Sequence, residues 1–466
     1  MPENCTLARI DLPDFGLPQH EPVIPASVYR DRLAQLREAA RAAGLDIVVV
    51  YGDREHFANL AYLTGYDPRF EEALFVVDVD GRTQTLLVGN EGEGYVAVSP
   101  IASDFTVELY QSFSLLGQDR SESKPLHLIL STSGITPDAT VGVSGWKHFL
   151  EFEEPQHVHE VPSYIVETIR NLGGGPRKVI NCNTLFMDST EGLRSTNEVE
   201  QLARFEFVAC HTSQAVRNVL FGLRPGMTEY EAVQLMEYTG LPLSCHLMCS
   251  AGPAAEMGLP SPSSREIKHG DPLTMAYGSW GALNSRAGFV VEGCDGLPDE
   301  ISDYVDRLVG PYFEAVVAWY ETLELGIEGR KLYEAVHSRI GDPFFGVELN
   351  PGHLIHLDEW VDSPVYEGST EPLRSGMAIQ VDVIPSTGTA YFMTNLEDGI
   401  ALADADLRHR FADQFPEAWN RVQSRRAFME ETLGIDLAPE ILPFSNIPAY
   451  LPPYLLSPER ALRMDR

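Results

Sequence analysis

The sequence predicts an α/β protein built from two structural domains. Its 466 residues exceed the length of one ordinary domain. The first part alternates amphipathic helical patterns with short apolar runs that are typical of buried strands, such as Asp46–Tyr51. The second part contains two helix-turn-helix units, each followed by strands, which indicates an internal duplication. We therefore expect an α/β domain over residues 1–180 and a duplicated helix-and-sheet domain over residues 181–403.

The first domain is predicted from local patterns. Tyr29–Ala43 has the periodicity of an amphipathic helix, which Gly44 ends. None of the helices in this part is opened by a glycine-rich phosphate loop, so a nucleotide site has no support. The expected strands are Asp46–Tyr51, Ala73–Asp78, Thr85–Val88, Val141–Val143 and Val179–Ile180.

The second domain begins with a helix that we expect Ser195 to cap, with Glu198 in the capping-box position, and Thr228 caps the next helix. Residues 404–466 are expected to form a helical and then proline-rich tail packed on this domain. The other expected elements are the helices Ile301–Leu323, broken or kinked at Gly310-Pro311, and Lys331–Ile340, and the strands Pro272–Tyr277, Gly288–Glu292, His353–Trp360, Ala378–Val383 and Leu396–Ala401.

Composition excludes several classes of protein. The 68 acidic residues against 34 basic residues give a formal net charge of −34, which argues against nucleic acid and anionic membrane as partners. The six cysteines are too sparse for a disulfide framework. The start of the chain, Met1–Cys5, shows no basic region followed by an apolar stretch, and no run of about 18 apolar residues follows. We expect a cytoplasmic protein of enzyme size that acts on a small molecule.

The pattern most suggestive of chemistry lies in the last third of the chain. His353 occurs in a strand-like run, Asp382 in the next such run and Glu397 in the one after it. A histidine followed by carboxylates on successive strands is a common way to build a metal or acid–base site on a sheet. These three residues are therefore the candidate catalytic residues.

Several short segments that occur in order along the chain carry a family resemblance: Asn59–Gly65, Ser195–Glu198, Leu223–Glu229, Lys268–Asp271, Gly352-His353, Leu373–Met377 and Leu396–Asp398. Their order and spacing resemble the pita-bread superfamily, which includes creatinase, prolidase, aminopeptidase P and methionine aminopeptidase. The resemblance implies a creatinase-like α/β N-terminal domain, a C-terminal pita-bread domain with a duplicated helix pair and an antiparallel sheet, and a homodimer.

The resemblance also implies a degenerate set of metal ligands. Metallopeptidases of this family bind two metals through two Asp, one His and two Glu, and here His353, Asp382 and Glu397 match three of the five. Ala276 stands at the first Asp position, and Arg286 is expected at the second. Because an arginine adds positive charge where two cations already repel each other, we do not expect a dinuclear centre.

Three functions remain open at this point. The first is a hydrolase that acts on a C–N bond of a small substrate without a metal; Arg286 would replace a cation and pair with Asp382 and Glu397, and His353 would move protons. The second is a hydrolase or lyase with a single divalent metal on His353, Asp382 and Glu397. The third is a non-catalytic peptide-binding or scaffold protein.

Further residues are expected to bind the substrate. Creatinase-like dimers place N-terminal residues in the partner's site, which makes Arg69 and Phe70 candidates. The candidates in the second domain are Tyr277, Cys245, Cys249, His356 and Trp360.

Two local patterns receive a structural interpretation. Cys245 and Cys249 enclose His246, which could bind zinc or supply a nucleophile, but burial in a strand is the expected role. Asp358 and Glu359 are neighbours in a predicted strand and would face opposite sides, so we do not expect them to act together.

Overall fold

The computed structural model describes residues 4–465, which form two compact units. Ile24–Ser195 forms the smaller unit; the segment up to Val23, together with the chain from Thr196 onwards, forms the larger one. The boundary therefore falls after residue 195 rather than after residue 180, and the expected C-terminal tail belongs to the larger unit. The expectation for the first three residues of the chain lies outside the described part.

The larger unit contributes the first strand, β1 (Cys5–Arg9), and the smaller unit follows it in the chain. The elements of the smaller unit are α1 (Ala26–Ala42), β2 (Ile47–Gly52), α2 (Ala58–Thr64), β3 (Ala73–Asp78), β4 (Gln84–Val88), α3 (Asn90–Tyr95), β5 (Thr106–Leu109), α4 (Leu126–Thr132), β6 (Val141–Ser144), α5 (Ser163–Leu172), β7 (Val179–Asn181) and α6 (Thr184–Met187).

The smaller unit is organised around a six-stranded mixed sheet in the order β5-β4-β3-β2-β6-β7. The strands β2, β6 and β7 run parallel, while β3 is antiparallel to both of its neighbours. Every residue of β2 and β3 is buried, because helices such as α4 and α5 contribute to a core around these apolar runs. The strands that the apolar runs predicted are therefore confirmed.

The larger unit continues with α7 (Val199–Gly222), α8 (Glu229–Gln234), β8 (Met248–Ala251), β9 (Pro272–Ser279), β10 (Ala282–Phe289), α9 (Gly310–Thr322), α10 (Arg330–Ile340), β11 (His353–Leu354), β12 (Ala378–Asp382), β13 (Asn395–Leu402), α11 (Ala405–Gln414), α12 (Pro416–Ala427), β14 (Ile441–Pro443) and β15 (Arg460–Met464). Across residues 4–465, no helix combines the length and the apolar character needed to cross a membrane.

An antiparallel sheet in the order β11-β12-β13-β10-β9-β8 forms the centre of the larger unit, and β14 also pairs with β13. Helices α7 and α9 cover one face. The Thr212 hydroxyl of α7 donates to Asn284 Oδ1 of β10 (2.7 Å), and the Tyr312 hydroxyl of α9 accepts from the Leu396 amide of β13 (2.8 Å). Asn284 and Leu396 mark the helix-covered face, and the opposite face is available for a site.

Helix starts follow local chemistry only in part. Thr228 and Glu231 form the expected capping box, in which each side chain accepts the other residue's backbone amide. The expected cap at Ser195 is wrong: α7 begins after Glu198, and the Ser195 hydroxyl instead donates to the Gly192 carbonyl in the preceding turn (2.7 Å).

The helix is irregular but not broken at Gly310-Pro311, where the sequence predicted a break or a kink. A π-helical turn, Val305–Val309, leads directly into α9, and Pro311 lies in the first turn of that helix. The π-helical turn explains how the helix continues through the proline, because a wider turn just before it relieves the clash that proline makes with the carbonyl one turn earlier.

Candidate active site

The register of the sheet defines the face that carries the site. Residues paired directly across antiparallel strands share a face, and Asp382, Glu397, Ser285, Ala276 and Met248 are paired in one continuous row. His353 joins this face because it pairs with Gln380, two residues before Asp382 on the same strand. The structure thus brings His353, Asp382 and Glu397 together, as their order in the sequence indicated.

His353 lies at the centre of three carboxylates. Its Nε2 atom is 3.1 Å from Glu359 Oε1, 3.8 Å from Asp382 Oδ2 and 3.8 Å from Glu397 Oε1. The histidine is completely buried, and Asp382 and Glu397 are almost so, whereas the Glu359 side chain is 27% exposed. Glu359 is therefore the member of this cluster with the most contact with solvent.

Glu359 reaches His353 because the predicted strand His353–Trp360 is wrong beyond its first two residues. Strand β11 ends at Leu354, and bends follow. The chain then folds back, since the Leu354 amide donates to the Asp362 carbonyl (2.8 Å) and the Val361 amide donates to the Leu354 carbonyl (3.0 Å). Because the chain bends here, side chains no longer alternate between the two faces of the sheet. The bend brings the Glu359 carboxylate back to the ring of His353.

The same bend places Trp360 against His353. The two rings stack with their centroids 4.0 Å apart and their planes at 16°. His353 Nδ1 lies 3.2 Å from the Leu354 carbonyl, so a proton on Nδ1 can be donated there while Nε2 faces the carboxylates. Trp360, expected to bind substrate, therefore lies at the site and fixes the orientation of the histidine ring.

The electrostatics of the cluster are strongly perturbed. Burial raises the pKa of Glu397 and that of Asp382, and the neighbouring carboxylates raise both further. Burial alone would lower the pKa of His353, but Glu359, Glu397 and Asp382 hold it well above its ordinary value. The cluster therefore carries more negative charge than a buried site tolerates, unless protons or a cation offset it.

Gln380 orients Glu397. Its side-chain amide donates to Glu397 Oε1 (3.0 Å) and to the Leu283 carbonyl (2.6 Å). Gly399 flanks this amide, since a Cβ atom there would lie 2.7 Å from Gln380 Oε1. Neither the amide nor the glycine stood out in the sequence; strand register, which pairs Gln380 with both His353 and Gly399, is the signal that would have identified them.

The expected role of Arg286 in the site is wrong. The guanidinium is completely buried on the helix-covered face, where it forms an ion pair with Asp398 (2.8 Å) and donates to the Tyr450 carbonyl (2.7 Å). Alternation along β10 explains this placement, because Ser285 faces the cluster and its neighbour Arg286 therefore faces away. Arg286 does not replace a cation beside Asp382 and Glu397.

Apolar and small side chains stand where further acidic ligands were expected. On the face of the cluster, β9 carries Ala276, and β10 carries Ser285 and Leu283. Ala276 and Leu283 pack with Met248 and the half-buried Cys245 in a small apolar cluster. This part of the face offers no carboxylate to a second metal.

Cys245 lies at the site as expected, but not as a nucleophile. Burial, then Glu359 and Glu397, raises the pKa of its thiol to about 12, which disfavours the thiolate. Cys249 lies on the opposite face, because it pairs with Met275 while Met248 pairs with Ala276. The two cysteines therefore do not share a zinc site.

Two other expected substrate-binding residues are placed elsewhere. Tyr277 pairs with Asn284 and so belongs to the helix-covered face, where its ring contacts Tyr238 at 6.1 Å between centroids. The buried ring of His356 packs edge-on against Phe205 of α7, with 5.3 Å between centroids. Both positions contradict contact with a substrate beside His353.

Arg69 and Phe70 belong to the smaller unit. Arg69 pairs with Asp67 (3.1 Å) and lies over the ring of Phe57, 4.8 Å from its centroid, and Phe70 is exposed. Their place in a partner's site stays a prediction.

The cluster fits one divalent cation. Ligand atoms from His353, Glu359 and Glu397 lie within 4.8 Å of one another, and Asp382 borders them. Asp382 Oδ1 is buried and has no hydrogen-bond partner, so an oxygen ligand is left to be satisfied. One histidine and several carboxylates form a donor set that zinc, manganese and iron accept.

Comparison with known families agrees with this fold. The family model described as creatinase/prolidase N-terminal domain matches residues 32–149, and that of metallopeptidase family M24 matches residues 207–405. Together these segments make up more than half of the chain. A search of curated protein sequences finds no significant match.

Solved structures share the fold at low sequence identity. The prolidase from Pyrococcus horikoshii OT3 has a TM-score of 0.60 at 17% identity, over 80% of this chain and 95% of its own. The Xaa-Pro dipeptidase from Bacillus anthracis has a TM-score of 0.60 at 15% identity, and the match covers 81% of this chain and 96% of the dipeptidase. Dipeptidase PepE from Mycobacterium ulcerans has a TM-score of 0.57 at 18% identity, and the match covers 81% of this chain and 94% of the dipeptidase. These likenesses concern the fold.

The fold and the matched families define the class: a creatinase-type N-terminal domain joined to an M24-type domain with an antiparallel sheet. The chain belongs to the pita-bread superfamily of creatinase, prolidase and aminopeptidase P. The matched family and the neighbouring structures are peptidases, so hydrolysis is the chemistry associated with this fold.

Proposed function

We propose that this protein hydrolyses a C–N bond of a small substrate at a centre that holds one divalent cation. The observation that carries the proposal is the convergence of Glu359, Asp382 and Glu397 on His353 while Arg286 faces away. His353 must be neutral to bind a cation through Nε2, so it does not offset the charge of the three carboxylates when a metal is bound. A divalent cation offsets most of that charge. The metal-free alternative instead required Arg286 to offset it.

The four side chains have distinct proposed roles. His353, Asp382 and Glu397 would hold the cation, which when bound supplies Lewis acidity toward a carbonyl oxygen and lowers the pKa of water. Glu359 also has an oxygen within 4.8 Å of the ligand atoms of His353 and Glu397. We assign the third ligand position to Asp382 instead, because its buried Oδ1 has no hydrogen-bond partner. Glu359, the most exposed of the four, accepts a proton from the attacking water and returns it to the leaving nitrogen. Gln380 keeps Glu397 oriented through its 3.0 Å hydrogen bond.

The apolar residues on the other half of the face are evidence for one bound cation rather than two. Two divalent cations a few ångströms apart repel each other and need several bridging carboxylates. Ala276, Leu283 and Ser285 occupy the face where those carboxylates would be needed.

Metal binding and turnover test the proposal together. Protein freed of metal by a chelator is titrated calorimetrically with Zn²⁺ and Mn²⁺. Hydrolysis is followed on a panel of Xaa-Pro dipeptides, because the structurally similar proteins include a prolidase and an Xaa-Pro dipeptidase. We expect one ion per chain and metal-dependent turnover. His353→Ala should lower metal affinity more than about 100-fold, whereas His409→Ala, at an exposed position on α11, should not change it.

Other outcomes identify the alternatives. Two ions per chain would contradict a mononuclear centre, and full activity after chelation would support the metal-free hydrolase. Absence of both metal binding and turnover would favour a non-catalytic peptide-binding protein.

A further inference from the structure

A cleft in the smaller unit brings three arginine side chains together. Its volume is about 550 Å³, and it lies where α1, the turn between β3 and β4, and the start of β5 meet. Helix α1 contributes Arg30, Leu33 and Arg37, whose spacing of three and four residues places them on one face of the helix. The turn contributes Arg82, and the segment that leads into β5 contributes Asp104. The volume is within the range of sites that hold a small organic molecule.

Two of the three arginines are held by carboxylates. The Arg30 guanidinium donates to Asp104 through Nε (2.6 Å) and Nη2 (3.3 Å). The Arg82 guanidinium pairs with Asp78 (2.8 Å) and lies 3.6 Å from Asp80. These contacts keep both guanidinium groups at the cleft and offset their charge.

Arg37 has only neutral partners. Its Nε donates to the Asp78 carbonyl (3.4 Å) and its Nη2 to Gln84 Oε1 (2.5 Å), and it forms no ion pair within the described part of the chain. The chain has 68 acidic residues, so a shortage of carboxylates does not explain this. The side chain is half-buried, and burial lowers the pKa of Arg37 below its ordinary value. An anion bound at this guanidinium would supply the missing charge partner.

The turn that carries Arg82 lies against Arg37. A Cβ atom placed on Gly81 would lie 3.9 Å from Arg37 Nε. A guanidinium matches two oxygens of a phosphate group in a bidentate arrangement and stays charged at physiological pH. We propose that the cleft binds a small organic phosphate, with its phosphate group at Arg37 and Arg82. The cleft belongs wholly to the smaller unit, so this inference does not depend on the proposed function.

The rest of the cleft defines the organic part of the ligand. Arg30 precedes Arg37 by two helical turns, about 10 Å along α1, which leaves room beside the phosphate group. Polar side chains line this space, namely Thr83, Gln84 and Ser103. Hydroxyl and amide groups favour a ligand rich in hydroxyl groups, so the chemical class is a sugar phosphate.

Calorimetric titration of the full chain at low ionic strength tests the site, because salt screens such contacts. Glucose 6-phosphate is the probe, and glucose and inorganic phosphate are the matched controls. We expect one glucose 6-phosphate per chain, bound about tenfold more tightly than inorganic phosphate, and no binding of glucose. Equal affinity for inorganic phosphate would reduce the cleft to a site for an adventitious ion only, and absence of all binding would remove the site.

Variants on α1 locate the phosphate group. Arg37→Met should weaken glucose 6-phosphate binding by about tenfold or more, and Arg37→Lys should weaken it less, because lysine keeps the charge but lacks the planar fork. Arg41→Met is the matched control, since Arg41 lies one turn further along the same helix and donates to the Val79 carbonyl outside the cleft. An effect of Arg41→Met as large as that of Arg37→Met would overturn the placement.

Ser103→Glu tests the cleft while every arginine is retained. Ser103 is exposed, so the substitution should not disturb the fold, and the added negative charge should weaken glucose 6-phosphate binding by about tenfold. Ser103→Ala should have little effect. Unchanged affinity in Ser103→Glu would contradict the site.

The metal centre of the proposed function is a second place where phosphate could bind. His353→Ala should therefore bind glucose 6-phosphate as tightly as the unmodified protein does. Loss of binding in His353→Ala, together with normal binding in Arg37→Met, would place the phosphate at the acidic cluster and overturn the inference. Turnover of the dipeptide panel without any binding of glucose 6-phosphate would remove this site and leave the proposed hydrolase intact.

Discussion

The position of Glu359 in the site depends on a bend of the backbone, whereas the positions of His353, Asp382 and Glu397 depend on strand register. Its carboxylate lies 3.1 Å from His353 and is the most exposed of the cluster. Glu359→Gln should lower kcat by about 100-fold or more, because a general base contributes about that much, while changing metal affinity little. Metal titration and steady-state kinetics measure the two effects separately.

The matched control is Glu367→Gln, an exposed residue that follows the same loop region. Its kcat and metal affinity should equal those of the unmodified protein. If Glu359→Gln instead loses metal affinity as His353→Ala does, Glu359 is a ligand rather than the proton acceptor.

Arg286 is predicted to stabilise the fold without acting in the reaction. Its partner Asp398 is buried and also accepts hydrogen bonds from Asn284 Nδ2 (2.9 Å) and the Ala449 amide (2.9 Å). Arg286→Met should lower the free energy of unfolding by about 3–5 kcal/mol, because it leaves a buried carboxylate unpaired. Denaturant unfolding measures the loss.

A second substitution separates structure from catalysis at this position. Combining Arg286→Met with Asp398→Leu should restore much of the stability, since neither charge is then left alone. A stable Arg286→Met protein that has lost kcat would contradict the structural role.

The candidate site was predictable where strand alternation holds. His353, Asp382 and Glu397 lie at positions that a regular sheet brings together. Arg286 was assigned to the wrong face, because a spacing in sequence does not determine which of two adjacent strand residues, Ser285 or Arg286, faces the site. Glu359 could not be placed from alternation, because a hydrogen-bonded bend replaces the strand there.

At the scale of elements, the β9–β10 hairpin holds the apolar half of the site and depends on one glycine. Gly281 has φ +98°, and an added Cβ atom would lie 1.9 Å from the ring of Phe205. Gly281→Ala should lower the free energy of unfolding by about 3 kcal/mol or more, combining backbone strain with overpacking. Thermal or denaturant unfolding would measure it.

Gly326→Ala provides the control for backbone strain alone. Gly326 has φ +85°, but no atom lies within 4 Å of an added Cβ. Gly326→Ala should lower the free energy of unfolding by only about 1 kcal/mol. Equal losses at Gly281 and Gly326 would show that Phe205 does not constrain the hairpin.

Elements were predictable to the extent that local signals determine them. The apolar runs of β2 and β3 and the capping box at Thr228 depend on neighbouring residues, and the structure confirms them. The start of α7 and the course of the chain at Pro311 depend on a preceding turn and on a π-helical turn, which periodicity does not reveal.

At the scale of the whole molecule, the acidic cluster makes stability depend on pH. Burial raises the pKa of Asp382 and of Glu397, so the folded chain retains protons that the unfolded chain has released. The pKa of His353 is raised as well, so its contribution to the free energy of unfolding is lost as pH rises through its pKa in the folded protein. Without a bound metal, the three groups together should therefore lower the free energy of unfolding as pH rises from about 4 to about 8.

The Glu397→Gln variant isolates this effect, because glutamine does not titrate. In the presence of a chelator, its melting temperature relative to the unmodified protein should increase between pH 5 and pH 8. Glu367→Gln should show a constant difference over the same range. Added Zn²⁺ should stabilise the unmodified protein more at pH 8 than at pH 5, because the ion competes with protons for the same atoms. A relative melting temperature that falls with pH would contradict the raised pKa of Glu397.

The pairing of β1 with β15 joins segments more than 450 residues apart, from Cys5 opposite Met464 to Arg9 opposite Arg460. Cys5 is buried in this ribbon, where its thiol has a pKa of about 12, raised mainly by burial. Removing Arg460–Met464 would leave β1 without its backbone partner. In the full-length chain, in a background that lacks the exposed Cys294 and the half-buried Cys245, the rate at which Cys5 is alkylated would report how often the ribbon opens. A tag fused next to either strand should raise this rate, because opening of one strand also releases the other.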